Sequence, residues 1–213
     1  MQKTLSSTSV DDELSQVIIS KELLYKGEGM SDKEDLIEII KEKSFKESDV
    51  PSFPLSSGKK SKYYFNMKPV TMDSRGAFLI GTVVFDKICE LGLQPKAIGG
   101  LTMGADPVSI ATAYTSFLKK KPIQSFSIRK EPKKHGLGLQ IEGNVRPGDK
   151  VVIVDDVVTT GKSTINAIDI AREHDLGILA ALVLVDRCEE NGRENIEALS
   201  VPVYSIFTIR DFL

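Results

Sequence analysis

The chain has 213 residues, 41% of them hydrophobic, enough for one large α/β domain or one domain with an appendage. Its 28 Lys and Arg face 30 Asp and Glu, a net charge of −2, which excludes the global basic field of a nucleic-acid binder. Cys89 and Cys188 lie far apart, favouring free thiols in a reducing compartment over a disulfide frame or zinc site; with no secretory apolar core in MQKTLSSTSVDDEL and no bilayer-length apolar run, a cytoplasmic soluble protein without membrane contact is expected.

Leu14, Val17, Ile18, Leu23 and Leu24 recur at roughly helical spacing before a Gly27-Glu28-Gly29 break. Ser31 and Glu34 then form the S-x-x-E signature of a capping box ahead of Leu36, Ile37, Ile39 and Ile40, a well-marked helix start. A domain can therefore begin at Met30, and residues 1–29 read as an extension that packs either on the body or on a partner subunit; the pattern fits both. After Pro51 and Pro54, a basic turn over Ser57 to Lys62 leads into a predicted strand from Tyr63 to Val70. Residues 74–91 read as a helix with Phe78, Leu79, Val83 and Ile88 inward, and Lys96 to Gly99 as a strand. The following GGLTMGADP places Gly99, Gly100 and Gly104 ahead of a helix starting near Ala105, a turn whose N–H groups suit a diphosphate.

Gln124 to Ile128 is the next predicted strand, and from Arg129 to Gly148 no periodicity survives. Arg129, Lys130, Lys133, Lys134 and His135, followed by Gly136, Gly138 and Gly143, fit a lid that closes over an anion; a solvated basic loop has the same composition. A helix over 161–175, a strand over Ile178 to Val185, a short helix over 192–199 and a last strand over Val203 to Ile209 complete the chain. Strands alternating with helices imply right-handed crossovers and a mostly parallel sheet.

Residues 151–163, VVIVDDVVTTGKS, combine a β-branched run suited to a strand buried on both faces with two carboxylates at its expected end. The small, hydroxylated residues Thr159 to Thr164 then open a helix whose free N–H groups can hold a phosphate. A Walker A loop fails here, because its first glycine would fall at Asp156, whose charge repels a triphosphate. Asp155 and Asp156 instead suit the two hydroxyls of a ribose whose 5-phosphate sits on Thr159 to Ser163.

VVIVDDVVTTGKS resembles the phosphoribosyl-diphosphate (PRPP) motif of type I phosphoribosyltransferases. FPLSSGKKSKYYF, IGGLTMGADP, RKEPKKHG with its trailing EG, and VDRCEENGRE, in that family's order over about residues 53–194, narrow the resemblance to the orotate phosphoribosyltransferases. The resemblance implies a mostly parallel five-stranded sheet flanked by helices, with a small N-terminal hood over about 30–72 and a core over about 73–213. It implies transfer of ribose 5-phosphate from PRPP to N1 of orotate in pyrimidine (UMP) biosynthesis, with magnesium held mainly through PRPP and diphosphate. It also implies a homodimer whose lid residues act across subunits.

By the same resemblance, PRPP meets Arg129, Lys130, Lys133, Lys134, His135, Asp155, Asp156, Val157, Val158, Thr159, Thr160, Gly161, Lys162 and Ser163. Lys130, Lys133, His135 and Asp155 are the expected catalytic groups, and Thr159, Arg187, Tyr64 and Phe65 the expected orotate contacts. No dedicated protein metal site is expected. Departing from some family members, the chain has Ser56 in place of a lysine and Thr102-Met103-Gly104 in place of Tyr-Lys-Gly, leaving Lys59, Lys60 or Lys68 to compensate. A purine phosphoribosyltransferase is the rival within the class. A PRPP-sensing regulator of nucleic acid is the rival outside it, but the basic lid is kept and the extension is acidic.

Overall fold

A computed structural model of the chain describes residues 30–55, 58–131 and 140–213. The expected helix near residues 11–25, Ser56, Lys133, Lys134 and His135 lie outside that set. Helix α1 (Asp32–Lys43) starts as its capping box requires: Ser31 Oγ accepts from Glu34 N at 3.2 Å, and Ser31 N donates to Glu34 Oε2 at 2.7 Å. Beyond it, β1 (Phe45–Glu47) pairs antiparallel with β4 (Tyr63–Phe65), and β2 (Phe53–Pro54) with β3 (Lys60–Ser61), building the small hood. The strand expected to reach Val70 stops at Phe65, and Lys68–Thr71 form a single helical turn, α2. Pro69 explains the switch, since it lacks an N–H for a ladder and its fixed φ suits a first helical turn.

The core follows as α3 (Ser74–Glu90), β5 (Ala97–Leu101), α4 (Ala105–Leu118), β6 (Gln124–Ile128), β7 (Ile141–Gly143), β8 (Lys150–Val158), α5 (Lys162–Glu173), β9 (Gly177–Asp186), α6 (Gly192–Glu197), β10 (Val203–Thr208) and a 3-10 turn over Ile209–Phe212. The sheet order is β10-β9-β8-β5-β6-β7, with β7 alone antiparallel. Six strands therefore replace the expected five, the addition being three residues inside the stretch read as an unstructured lid. Phe78, expected in the core, is 41% exposed on α3.

Strand β8 shows why its β-branched run is continuous. Val152 and Val154 pack with α1, α3 and α4 on one face, while Val151 and Ile153 pack with α5 and α6 on the other. Gly99 and Gly100 were expected in a diphosphate turn, but both lie inside β5; a Cβ on Gly99 would sit 2.1 Å from the Phe126 carbonyl oxygen. No helix among the described residues is long and apolar enough to cross a membrane.

Candidate active site at the β5/β8 crevice

The connection from β5 through α4 crosses one face of the sheet to β6, and that from β8 through α5 crosses the other face to β9. The strand order thus reverses between β5 and β8, the position where open α/β sheets bind ligands. Pairing between β5 and β8 ends at Gly99 with Ile153, whereas β8 stays paired to β9 as far as Val158 with Asp186. Asp155 and Asp156 therefore stand where β8 has parted from one neighbour while still held by the other, three and two residues short of the strand end expected to expose them. Val157 and Val158 belong to the strand, and Val158 is buried rather than open to phosphate.

Asp155 is 5% exposed, and its Oδ2 accepts from Ser163 Oγ at 2.5 Å and Thr164 Oγ1 at 2.9 Å. Burial, reinforced by the neighbouring Asp156 charge, pushes its carboxyl up to about 7, and the hydroxyl bonds offset only part of that. Burial also raises Asp156, against bonds to its carboxylate and the attraction of Lys68. Lys68, one of the lysines expected to compensate for missing cations, thus bears on the acidic pair. A Cβ on Gly104 would lie 2.8 Å from Asp156 Oδ1 and 3.2 Å from Asp155 Oδ1, so the turn after β5 closes directly over both carboxylates.

The chain then bends through Gly161 at φ +77°, in the left-handed region, and α5 begins at Lys162. Thr160 Oγ1 accepts from Lys162 N at 3.3 Å, and Asn195 on α6 donates to the Thr160 carbonyl at 3.0 Å, fixing the bend from both sides. Thr159, Thr160, Gly161, Lys162 and Ser163 line a cavity of about 660 Å³ with Leu101, Val157 and Lys130. Apart from Lys162 N, the N–H groups that open α5 have no carbonyl of a preceding helical turn to meet, which gives that cavity donors of the kind an anion needs. Ser163 differs from expectation in one respect, because its hydroxyl is engaged by Asp155 and leaves the backbone to meet a phosphate.

At the base of the lid, Arg129 N donates to the Gln140 carbonyl at 2.9 Å, while Arg129 Nε pairs with Glu142 Oε1 at 3.1 Å. Lys130 is thereby brought to the phosphate cavity, but the Arg129 side chain is directed to β7. On the far side of β8, Arg187 follows β9 with its side chain buried; its Nη2 donates to the Tyr63 carbonyl at 2.8 Å and lies 2.6 Å from Glu189 Oε2. Arg187 Nε is buried with no hydrogen-bond partner among the described residues. Tyr64 is 40% exposed and stacks on Phe53 at 5.5 Å. Phe65 does not offer its ring to a ligand: it packs on Phe45 and Phe212, each at 5.0 Å, leaving only its backbone for that role. Ser61 and Glu189 are not singled out in the sequence, and Gly104 reads there as part of a diphosphate turn, not as a neighbour of the two carboxylates. Thr164 lies in the run read as hydroxylated.

The family model for the phosphoribosyl transferase domain matches residues 108–209. Orotate phosphoribosyltransferase of Aquifex aeolicus is 45% identical over 184 residues, covering 86% of this chain and 99% of that protein. Its counterpart in Bradyrhizobium sp. is 40% identical, covering 84% of this chain and 95% of its own. Among solved structures, orotate phosphoribosyltransferase of Mycobacterium tuberculosis superposes with a TM-score of 0.73 at 30% identity, over 85% of this chain and 99% of that one. With such relatives matched over nearly their whole length, the chain belongs to the orotate phosphoribosyltransferase family.

Proposed function

We propose that the β5/β8 crevice transfers ribose 5-phosphate from PRPP to N1 of orotate, releasing diphosphate, in the route to UMP. The observation that carries this assignment of roles is the adjacency, along one sheet edge, of the phosphate cavity, the Asp155–Asp156 pair and the buried, partly unpartnered Arg187. The loop Thr159 to Ser163 holds the 5-phosphate on backbone N–H groups and the hydroxyls of Thr159 and Thr160, the Ser163 hydroxyl being engaged by Asp155. The two carboxylates accept from the ribose hydroxyls and place negative potential beside the cationic character that develops at C1 as diphosphate leaves. Lys130, with Lys133, Lys134 and His135 of the lid, neutralises the leaving group and excludes water. Thr159 and the Arg187 N–H groups hold the base, a planar carbonyl-rich acceptor that a guanidinium fork suits.

The cavity is lined by the hydroxyls of Thr159, Thr160 and Ser163, the Asp169 carboxylate and the ammonium groups of Lys130 and Lys162, a set that suits an anion bringing magnesium on its own oxygens. When bound, that ion supplies charge neutralisation and a template for the diphosphate. Both cysteines are free and exposed, which supports the cytoplasm as its location. Incubated with PRPP, magnesium and orotate, the protein is expected to consume orotate, read as loss of its absorbance. Turnover of hypoxanthine or adenine in its place would assign the site to purines.

Dimerisation is supported by the α3/α4 face, where the exposed Phe78, Ile110 and Tyr114 line a groove and α4 also exposes Phe117. If lids act across the pair, mixing Lys133→Ala with Asp155→Ala chains restores part of the activity that each lacks alone. No recovery after verified subunit exchange places each lid over its own site.

A further inference from the structure

Arg187 is held by groups that touch neither the phosphate cavity nor the acidic pair. Glu189 Oε2 lies 2.6 Å from Arg187 Nη2, and Glu189 Oε1 accepts from the hydroxyl of Ser61 at 2.6 Å. That hydroxyl also accepts from Tyr63 N at 3.0 Å, and the Tyr63 carbonyl returns to Arg187 Nη2 at 2.8 Å. Ser61, Glu189, Arg187 and Tyr63 therefore close a ring between two segments more than a hundred residues apart, with Ser61 and Arg187 both buried. From beneath, Asp186 accepts from Cys188 N at 2.9 Å and from Arg193 Nε at 3.0 Å, while Cys188 and Glu190, on either side of Glu189, have φ of 51° and 55°. The backbone on both sides of Glu189 is thus constrained before its side chain makes any contact.

A guanidinium is a rigid plane, so the Tyr63 carbonyl that accepts from Nη2 and the Glu189 carboxylate ion-paired with it together orient its remaining donors. The buried Nε is left as a donor that a ligand acceptor would satisfy, and an unmet buried N–H is costly. Because Glu189 already balances the charge of Arg187, what the site offers an incoming base is directed N–H groups more than net positive charge.

We propose that Glu189 and Ser61 are positioning residues for the base: through their ring with Tyr63 they orient Arg187 and make seating of the hood turn a condition of orotate binding. This rests on the assignment of Arg187 to orotate made above. Ser61→Ala and Glu189→Gln proteins are expected to raise the KM for orotate about tenfold, with the KM for PRPP within about twofold and kcat at saturation little changed. Binding of orotidine 5-phosphate, which the phosphate cavity retains without Arg187, supplies the second readout by calorimetry. Ser61→Ala is expected to weaken it about tenfold in the wild-type background and less than about twofold in Arg187→Ala protein. Unchanged or lowered orotate KM, an equal rise in both KM values, or the same loss in both backgrounds would overturn the proposal. Wild-type protein that fails to turn over orotate would instead remove the assignment of Arg187 on which the proposal stands.

Discussion

Asp155→Asn protein is expected to turn over orotate about 100- to 1000-fold more slowly, the usual scale for removing one preorganised electrostatic group from a transition state, and yet to be the more stable protein at pH 8. The loss follows from geometry: Asp155 is fixed by two hydroxyl donors and a backbone bond, so its negative charge is in place before the sugar becomes cationic. The gain follows from burial, which pushes the carboxyl up to about 7 from an unfolded value of 3.8. A carboxyl raised on folding binds its proton more tightly in the folded state, so unfolding releases a proton between those values. Stability is then greatest below pH 4, falls as pH rises towards 7, and stays low above it. The loss falls between those two values, so most of the stabilisation that remains at pH 5 has gone by pH 8. Asparagine carries no titrating proton and escapes this loss, so the melting temperatures of variant and wild type should diverge with rising pH. A gap that stays constant from pH 5 to pH 8, or a variant with wild-type kcat, would contradict the account.

Ser163 and Thr164 show how the site manages this conflict. Their hydroxyls both favour the ionised form of Asp155, yet burial and the Asp156 charge outweigh them. Ribose hydroxyls would add donors to the same carboxylates and tip the balance towards ionisation as substrate arrives. On the proposed assignment of the pair to ribose, the same burial that makes it costly makes it complementary to the sugar hydroxyls, the usual relation between local destabilisation and function.

What could be read in the sequence was local or periodic. The capping box at Ser31 and Glu34 fixes a helix start within one turn, and the β-branched run at 151–154 is long enough to announce a strand covered on both faces. The acids followed by TTGKS located the cavity. The failures share a different cause. Strand β7 is three residues long and owes its existence to β6 beside it, and Phe78 has the spacing of a core residue on a helix whose outer face is also apolar. Phe65 reads as an orotate contact on a strand after a basic turn until Phe45 and Phe212 are brought to it. Glu189 and Ser61 touch across 128 positions of chain, and no window of sequence contains both. The segment that lines the cavity is thus legible as a string, whereas residues that meet only across the fold are visible only after folding.

Gly192→Ala carries the same lesson to the phosphate loop. A Cβ at this position would sit 2.3 Å from the Thr159 carbonyl oxygen and 2.7 Å from Val158 Cγ1. Backbone cannot swing away as a side chain tip can, so α6 and the 159–161 bend must separate. They are joined at two further points: Asn195 donates to the Thr160 carbonyl, and a Cβ on Gly161 would meet the Gly192 carbonyl oxygen at 2.7 Å. The strain can be relieved by tilting α6, six residues long, or by displacing the loop. Tilting α6 would strip Arg193 from buried Asp186 and from the Val203 carbonyl, leaving a buried carboxylate unpaired. Moving the loop breaks no such pair, so the loop is expected to yield. A displacement near 1 Å in a substrate cradle costs about 100-fold in rate, and here it should appear mainly in PRPP. We expect Gly192→Ala to lower kcat/KM for PRPP by about 100-fold, while Arg187, held from the hood side by Tyr63 and Glu189, keeps its place. Steady-state kinetics in each substrate, paired with thermal melting, separates the two routes: a large fall in melting temperature with PRPP affinity intact would mean that α6 moved instead.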